Sequence, residues 1–242
     1  MIGGGAVFFN LKTNKAIIND SNKDLIKTYQ VVRDNLESLI ILLEELKQKN
    51  GRKFYYQTRD KFNELKLKKK ITKKDKIELA AQLIYLNKTC FNGLYRINKN
   101  EEFNVPIGSY KNPLICPEED LREISKLLKN VKIISGDFEE CLKYAKKNSF
   151  VYFDPPYYPL KNKKSFTTYA KGNFLEKEQE QLSKVFNKLD KKGCKVMLSN
   201  SDTDFIKGLY KKYPLKKVKA TRMINCNGKN RGKINEVVVR NY

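Results

Sequence analysis

Histidine is absent from this chain of 242 residues, and five cysteines are scattered along it with no close pair. Without histidine the chain can form neither a zinc finger of the two-cysteine, two-histidine type nor a Ser-His-Asp triad nor a Cys-His nucleophile. We therefore predict no metal site, and we expect the thiols to be free, as they are in a reducing cytoplasm. These absences exclude the commonest zinc-dependent and nucleophilic chemistries.

Long apolar runs are also missing. The longest, residues 38–43, is far too short to span a bilayer, and glutamates flank it on both sides. The N-terminal segment, residues 1–5, has no basic region of the kind that opens a secretory signal. We therefore predict a soluble cytoplasmic protein that has no membrane partner.

Positive charge is abundant, with a formal net charge of +23. Such an excess favours a polyanionic partner, nucleic acid above all. Many of the lysines lie in runs such as residues 66–76 and 211–219. Runs of this kind are usually solvated faces, so that reading stays open beside nucleic-acid binding.

The most informative motif is Asp154-Pro155-Pro156-Tyr157, which directly follows the apolar run 150–153. The run predicts a short buried strand, and the prolines predict a rigid turn at the sheet edge where open α/β sheets bind ligands. A carboxylate, a fixed carbonyl and an aromatic face suit an aromatic ring that bears an exocyclic amine. The alternative is a strand-ending turn in which Tyr157 simply packs on the sheet.

Helices and strands alternate through most of the chain. We predict helices at about 23–33, 36–49, 73–87, 118–129, 139–147, 176–191 and 202–213, and strands at 15–18, 131–135, 150–153, 195–199 and 236–240. The alternation indicates an α/β protein with a doubly wound, mostly parallel, Rossmann-like sheet. Residues 51–113 break the pattern. They predict an inserted lobe of helix and β-hairpin between the sheet segments 1–50 and 114–242.

Three further sites lie at strand ends or in loops. Asp20 ends the first predicted strand, where carboxylates of such sheets bind ribose hydroxyls. Asp137 follows another strand and could accept from a purine amine. Gly3, Gly4 and Gly5 would let a ligand approach the backbone closely. Each is also a common turn, so the alternative is purely structural.

In order along the chain, these motifs resemble the Dam-type family of DNA N6-adenine methyltransferases. The resemblance runs from the glycine loop through residues 87–96, 103–108 and the Asp154 motif to residues 231–236. It implies a methyltransferase domain in 1–50 and 114–242, S-adenosylmethionine as methyl donor and a target adenine flipped out of the duplex. The catalytic residues implied are Asp154, Pro155, Pro156 and Tyr157. Those implied to bind the cofactor are Gly3, Gly4, Gly5, Asp20, Asp137, Phe138, Asp154 and Phe166.

The resemblance also makes 51–113 the target-recognition lobe. It matches Phe91, Asn92, Leu94, Arg96 and Pro106 to residues that contact double-stranded DNA. An arginine fork suits the two acceptors of a guanine edge, and we expect a GATC-like site. The alternative is that Phe91 and Leu94 are hairpin core and Arg96 meets phosphate. A paired restriction endonuclease acting on the same site is the expected protein partner.

The sequence departs from the family pattern at its start. Members normally carry about 30 residues before the glycine loop, including a tryptophan, whereas here only two residues precede Gly3 and tryptophan is absent. We therefore expect an N-terminally incomplete methyltransferase domain that binds the cofactor poorly. The corresponding alternative is a catalytically impaired DNA-binding remnant. A separate alternative is an enzyme that methylates cytosine N4.

Overall fold

The computed structural model describes residues 1–13, 15–160, 174–221 and 233–242. The chain forms two compact units, one comprising Ile2–Ser135 and the other Gly136–Tyr242 together with Met1. Both contain helices and strands, so the α/β class is confirmed.

The unit Ile2–Ser135 is mainly helical. Its elements are α1 (Ala6–Leu11), β1 (Ile17–Asp20), α2 (Lys23–Asp34), α3 (Leu36–Gln48), α4 (Arg52–Lys66), α5 (Lys73–Thr89), α6 (Glu118–Leu128) and β2 (Lys132–Ser135). Strands β1 and β2 pair in parallel, with Ile17 opposite Lys132 and Asp20 opposite Ser135. Helix α5 packs against α2, α3 and α4 and is buried on several sides, which makes it the centre of this unit.

Capping side chains mark the starts of α2 and α5. The Asn22 side chain accepts hydrogen bonds from the backbone amides of Asp24 and Leu25 and so caps α2. A capping box between Thr72 and Asp75 begins α5, because each side chain accepts from the other residue's backbone amide. These caps explain why both helices begin where the sequence predicts.

The unit Gly136–Tyr242 holds a four-stranded sheet. A 3-10 turn (Phe138–Glu140) and α7 (Cys141–Tyr144) lead to β3 (Phe150–Phe153), followed by α8 (Glu176–Lys191), β4 (Lys195–Ser201), α9 (Asp204–Leu209), β5 (Leu215–Thr221) and β6 (Lys233–Arg240). The strand order is β3-β4-β6-β5. Strands β3 and β4 are parallel, while β6 is antiparallel to both β4 and β5. The core lies between the sheet and α8, around Leu182, Phe186 and Val196.

The predicted doubly wound, mostly parallel sheet is not confirmed in the described ranges. They contain one parallel pair and one mixed sheet, because the chain after α9 returns through antiparallel β5 and β6. From the sequence, residues 211–219 are predicted to be a charge run, but β5 occupies 215–221. Among the described strands β5 pairs only with β6, and lysines are typical of such sheet edges.

The segment 51–113 also differs from its expected form. Helix α4 covers residues for which no helix was predicted, and the expected regular hairpin strands are two isolated antiparallel bridges, Cys90 with Ile107 and Ile97 with Phe103. The compact unit that contains this segment extends to Ser135. The assignment of 51–113 to target recognition stays a prediction.

Candidate functional site

The motif Asp154-Pro155-Pro156-Tyr157 leaves the carboxyl end of β3, as predicted. Parallel pairing of β3 with β4 brings the motif beside the last residues of β4, Ser199 to Ser201. Asp154 and Pro156 are exposed, Pro155 is buried and Tyr157 is half-buried. Pro155 therefore anchors the turn, while the Asp154 carboxylate stays accessible.

A hydroxyl relay orients the Asp154 carboxylate. Ser199 Oγ donates to Asp154 Oδ1 at 2.8 Å, and the hydroxyls of Tyr152 and Ser199 are 2.9 Å apart. A serine hydroxyl has one proton, and an ionised carboxylate only accepts, so Tyr152 must donate to Ser199. Burial raises the pKa of Tyr152, and the Asp154 charge adds to this, so the phenol remains a donor at neutral pH. The relay occupies Oδ1 of Asp154 and leaves Oδ2 outside it.

A pair of buried amides fixes the backbone on the other side of the motif. Gln179 of α8 donates through Nε2 to the Pro156 carbonyl at 2.9 Å, and Asn200 of β4 donates through Nδ2 to Gln179 Oε1 at 3.0 Å. Asn200 Oδ1 in turn accepts from the Tyr158 amide at 3.0 Å. Gln179 and Asn200 both have 0% exposure, so this amide clamp has little freedom to move. It sets the path of the chain through Pro156 to Tyr158.

The Tyr157 ring is held at its hydroxyl end. Its hydroxyl donates to Glu236 Oε2 of β6 at 3.3 Å. Burial raises the pKa of Tyr157, and the charges of Asp154 and Glu236 raise it further. The side chain is therefore a neutral aromatic surface at physiological pH, next to an exposed carboxylate.

The glycine loop and Asp20 form a second cluster, within the unit Ile2–Ser135. Asp20 Oδ2 accepts from the amides of Ile2 and Gly3, both at 3.1 Å, and Oδ1 accepts from the Asn22 amide at 2.9 Å. Gly5 has a φ of 72°, and a side chain there would run into the Phe9 ring, so this turn requires glycine. A side chain at Gly3 or Gly4 would meet nothing within 4 Å, so space lies beside the loop.

Tyr29 completes this cluster by donating to the Gly3 carbonyl at 2.8 Å. Burial raises the pKa of Tyr29, and the nearby Asp20 charge adds to the shift. From the sequence, Tyr29 is predicted only as part of a helix face. Its hydroxyl also holds the loop, at the Gly3 carbonyl.

The remaining predicted cofactor residues lie at the start of the other unit or outside the described ranges. Asp137 is exposed and its side chain accepts from the Glu139 amide at 2.9 Å, which begins the 3-10 turn. The Phe138 ring is 6% exposed and packs edge-on against Phe174, with ring centroids 5.7 Å apart. Phe166 lies outside the described residues.

The five predicted DNA-contacting residues lie on two adjacent chain segments, residues 90–97 and 103–107, which two β-bridges join and which we call the two arms. The Phe91 amide donates to the Pro106 carbonyl at 2.8 Å, which joins the arms at their base. Asn92 has a φ of 53°, a left-handed conformation that asparagine tolerates well. Phe91 is 41% exposed, whereas Leu94 packs against the core and Arg96 is exposed.

The sequence predicts no role for Gln179 or Asn104. The Arg96 guanidinium donates to the side chain and the carbonyl of Asn104. Gln179 belongs to no motif, and Asn104 lies in the block 103–108, where only Pro106 has a predicted role. One sequence signal could have indicated Gln179: this polar residue occupies a core-facing position in the helical pattern of α8.

Two negative observations apply to the described residues alone. No group of three or more Cys, Asp or Glu side chains is arranged there to hold a metal ion. Likewise, none of the helices in these ranges combines the length and apolar character needed to cross a bilayer.

Comparison with known proteins identifies the family. Residues 2–224 match the family model of D12 class N6 adenine-specific DNA methyltransferase. The Type II methyltransferase M.MjaIII of Methanocaldococcus jannaschii is 48% identical over 254 residues, covering 100% of this chain and 86% of the relative. The Type II methyltransferase M1.LlaDCHI of Lactococcus lactis subsp. cremoris is 44% identical over 243 residues, covering 100% and 84%.

A DNA adenine methylase of Escherichia coli is 33% identical over 239 residues, covering 98% of this chain and 83% of the relative. These matches confirm the resemblance to Dam-type enzymes and favour adenine over the cytosine alternative. The chain therefore belongs to the D12 class N6 adenine-specific DNA methyltransferase family.

Proposed function

We propose that this protein transfers the methyl group of S-adenosylmethionine to the N6 amine of an adenine that is flipped out of a GATC-like site in double-stranded DNA. The observation that supports this best is the state of Asp154. Its carboxylate is exposed at the end of β3, and Ser199 holds Oδ1 while Oδ2 lies outside the relay. An oriented carboxylate with one oxygen outside the relay suits an exocyclic amine.

The chemistry requires the amine to become nucleophilic. Its lone pair is delocalised into the adenine ring, and hydrogen bonds from its two protons to Asp154 Oδ2 and the Pro155 carbonyl would draw the nitrogen towards a tetrahedral geometry. S-adenosylmethionine supplies an electrophilic methyl group when bound. The amine nitrogen would accept this methyl group, the sulfur would leave as a neutral thioether, and the methylated amine would release one proton to solvent. Positioning and electrostatics supply most of the acceleration.

Tyr157 is proposed to stack on the flipped base. Its neutral ring is oriented by the hydrogen bond to Glu236, and the Asp154 carboxylate lies three residues before it on the same turn. An aromatic face next to a carboxylate would bind the ring and its amine together. The amide clamp of Gln179 and Asn200 would keep these groups in register.

The glycine loop and Asp20 are proposed to bind the ribose side of the cofactor. A carboxylate offers about four acceptor positions, and backbone amides occupy three of those on Asp20 in the described structure. One position on Oδ1 remains for a ribose hydroxyl, and the space beside Gly3 and Gly4 fits a close ligand. Asp137 and Phe138 are proposed to contact the cofactor adenine and Phe166 to support the pocket, as the family resemblance implies.

Site recognition is proposed to depend on the two arms that carry Phe91, Asn92, Leu94, Arg96 and Pro106. The net charge of +23 attracts the duplex, and Arg96 would read a guanine edge. Guanine flanks the target adenine in a GATC-like site, which is consistent with an exposed guanidinium at this position.

The test is methyl transfer from labelled S-adenosylmethionine to duplexes with and without GATC. We expect label on adenine in the GATC duplex and none with Asp154→Asn, which keeps the shape and removes the charge. Asp204→Asn is the matched control, because it makes the same change at a carboxylate that is 91% exposed at the start of α9 and pairs with Lys207. Full activity of the Asp154→Asn variant, or equal labelling of both duplexes, would overturn the catalytic or the site assignment respectively.

We also propose that a restriction endonuclease cleaves the same site. The support is that two relatives are named Type II methyltransferases. DNA treated with this protein and cofactor should then resist an endonuclease that cuts only unmethylated GATC. Cleavage of fully labelled DNA by that endonuclease would contradict the shared site.

A further inference from the structure

Arg96 is not a free side chain, although it is exposed. Its Nε donates to Asn104 Oδ1 at 2.8 Å, and its Nη2 donates to the Asn104 carbonyl oxygen at 3.0 Å. We propose that Asn104 is a positioning residue that holds the Arg96 guanidinium with its outer edge directed to a guanine. This inference rests on the proposed function, in which Arg96 reads a base.

The geometry of the guanidinium gives this contact its meaning. The group has five N–H donors in one plane, and they form two edges that can each make a pair of parallel hydrogen bonds. Asn104 occupies the edge formed by Nε and Nη2. The edge formed by Nη1 and the second Nη2 proton remains. Its two parallel donors match the two acceptors, N7 and O6, that guanine presents in the major groove.

Asn104 can orient Arg96 because its own backbone is anchored on both sides. The amide and the carbonyl of Phe103 both bond to the Asn63 side chain, at 2.8 and 3.1 Å. The Val105 carbonyl accepts from the Tyr55 hydroxyl at 2.8 Å. Phe103 and Val105 are each 1% exposed. The residues on both sides of Asn104 are therefore buried and hydrogen-bonded to α4, which holds the two acceptor oxygens of Asn104 in place.

The side chain that orients Arg96 is neutral, and this preserves the charge of the guanidinium. A carboxylate would hold the guanidinium equally well, but it would cancel the positive charge that attracts DNA. Asparagine restrains the long side chain and leaves its charge intact. Restraint before binding reduces the entropy lost when the base contact forms, so the contact discriminates more strongly between bases.

The experiment measures kcat/KM on a GATC duplex and on the same duplex with 7-deazaguanine, which lacks the N7 acceptor, in place of each guanine in turn. The ratio of the two values at the most sensitive guanine is the discrimination. For Arg96→Ala we expect a loss of about 5- to 150-fold in discrimination, the range of a bidentate base contact. For Asn104→Ala we expect an intermediate loss, and for Asn104→Asp we expect discrimination to survive while affinity for every duplex falls.

The double variant separates positioning from other roles. If Asn104 acts through Arg96, Asn104→Ala should change discrimination no further once Arg96 is alanine. Asn100→Ala, at the exposed turn between the same arms, serves as the matched control and should resemble the unmodified protein. Equal loss of affinity for all duplexes with Asn104→Ala, at unchanged discrimination, would indicate a phosphate contact and overturn the proposal.

The outcomes also distinguish this inference from the proposed function. If Arg96→Ala leaves discrimination unchanged while adenine is still methylated, base reading by Arg96 fails and the positioning role fails with it. If Arg96→Ala abolishes discrimination but Asn104→Ala does not, only the role of Asn104 is wrong. Circular dichroism melts of each variant show whether the arms remain folded, and Asn104→Asp gives the answer if the alanine variant does not.

Discussion

The amide clamp predicts that Gln179 is needed both for stability and for the chemical step. Gln179→Met keeps most of the side-chain volume but removes the donor to Pro156 and the acceptor for Asn200. Pro156 is exposed, so water can satisfy its carbonyl. Asn200 has 0% exposure, and its Nδ2 group would lose the hydrogen bond to Gln179 Oε1. A buried donor left unsatisfied costs about 1–3 kcal/mol.

We therefore expect Gln179→Met to lower the free energy of unfolding by about 1–3 kcal/mol in urea denaturation. Gln181→Met is the matched control on the same helix. The Gln181 side chain is exposed and bonds to the surface residue Glu139, so its replacement should change stability by no more than about 0.5 kcal/mol. Equal stability of the two variants would show that Asn200 finds another acceptor and that the clamp is not rigid.

The activity of the same variant tests whether the clamp serves catalysis. Because the Pro156 carbonyl loses its anchor, the groups on either side of it should be displaced, and a displacement of about 1 Å can cost about 100-fold in rate. We expect kcat to fall at least tenfold at a temperature where the variant is folded, with KM for DNA little changed. An unchanged kcat together with lower stability would make Gln179 a structural residue and refute its link to the motif.

Two further predictions concern single side chains. Ser199→Ala removes the hydrogen bond to Asp154. Because a bond to a charged group contributes about 1.5–3 kcal/mol, kcat should fall about 10- to 100-fold in the methyl-transfer assay. Ser199→Thr should retain most of the activity, and equal activity of both variants would refute the relay. Backbone and hydroxyl bonds from Thr72 lower the pKa of Asp75 to about 2, so its contribution to stability is present above the unfolded pKa near 4 and disappears as the pH falls towards 2. Asp75→Asn should be less stable at pH 7 and lose less stability than the unmodified protein between about pH 4 and pH 2 in acid titrations followed by circular dichroism, and a parallel loss in both proteins would contradict the capping role.

Sequence alone determined the features that depend on neighbouring residues. The end of β3 and the turn at Asp154 follow from an apolar run and two prolines, which act within a few residues. Helix α2 begins where Asn22 can cap it, and α8 occupies the predicted range 176–191 because its apolar positions recur at helical spacing. The family follows from the order of such motifs, and the relatives confirm it.

Elements whose stability comes from distant partners were harder to predict. Helix α4 has buried Tyr55, Phe62 and Leu65, but charged residues between them hide the pattern. Strand β5 exists because β6, which comes later in the chain, pairs with it, and the lysines of β5 resemble a solvated run. Burial and strand pairing depend on neighbouring elements in the fold, so the intrinsic propensities of the residues predict them poorly.

Only the tertiary structure decided which side chains orient the functional groups. Gln179 lies 23 residues after Pro156, and Ser199 lies 45 residues after Asp154. Asn104 and Arg96 are eight residues apart on different arms. A hydrogen bond needs its donor and acceptor within about 3 Å and well aligned, and such a distance between residues remote in sequence is set by how α8, β3 and β4 pack. The sequence therefore names the groups that would meet the adenine and the guanine, while the packing selects the partners that hold them.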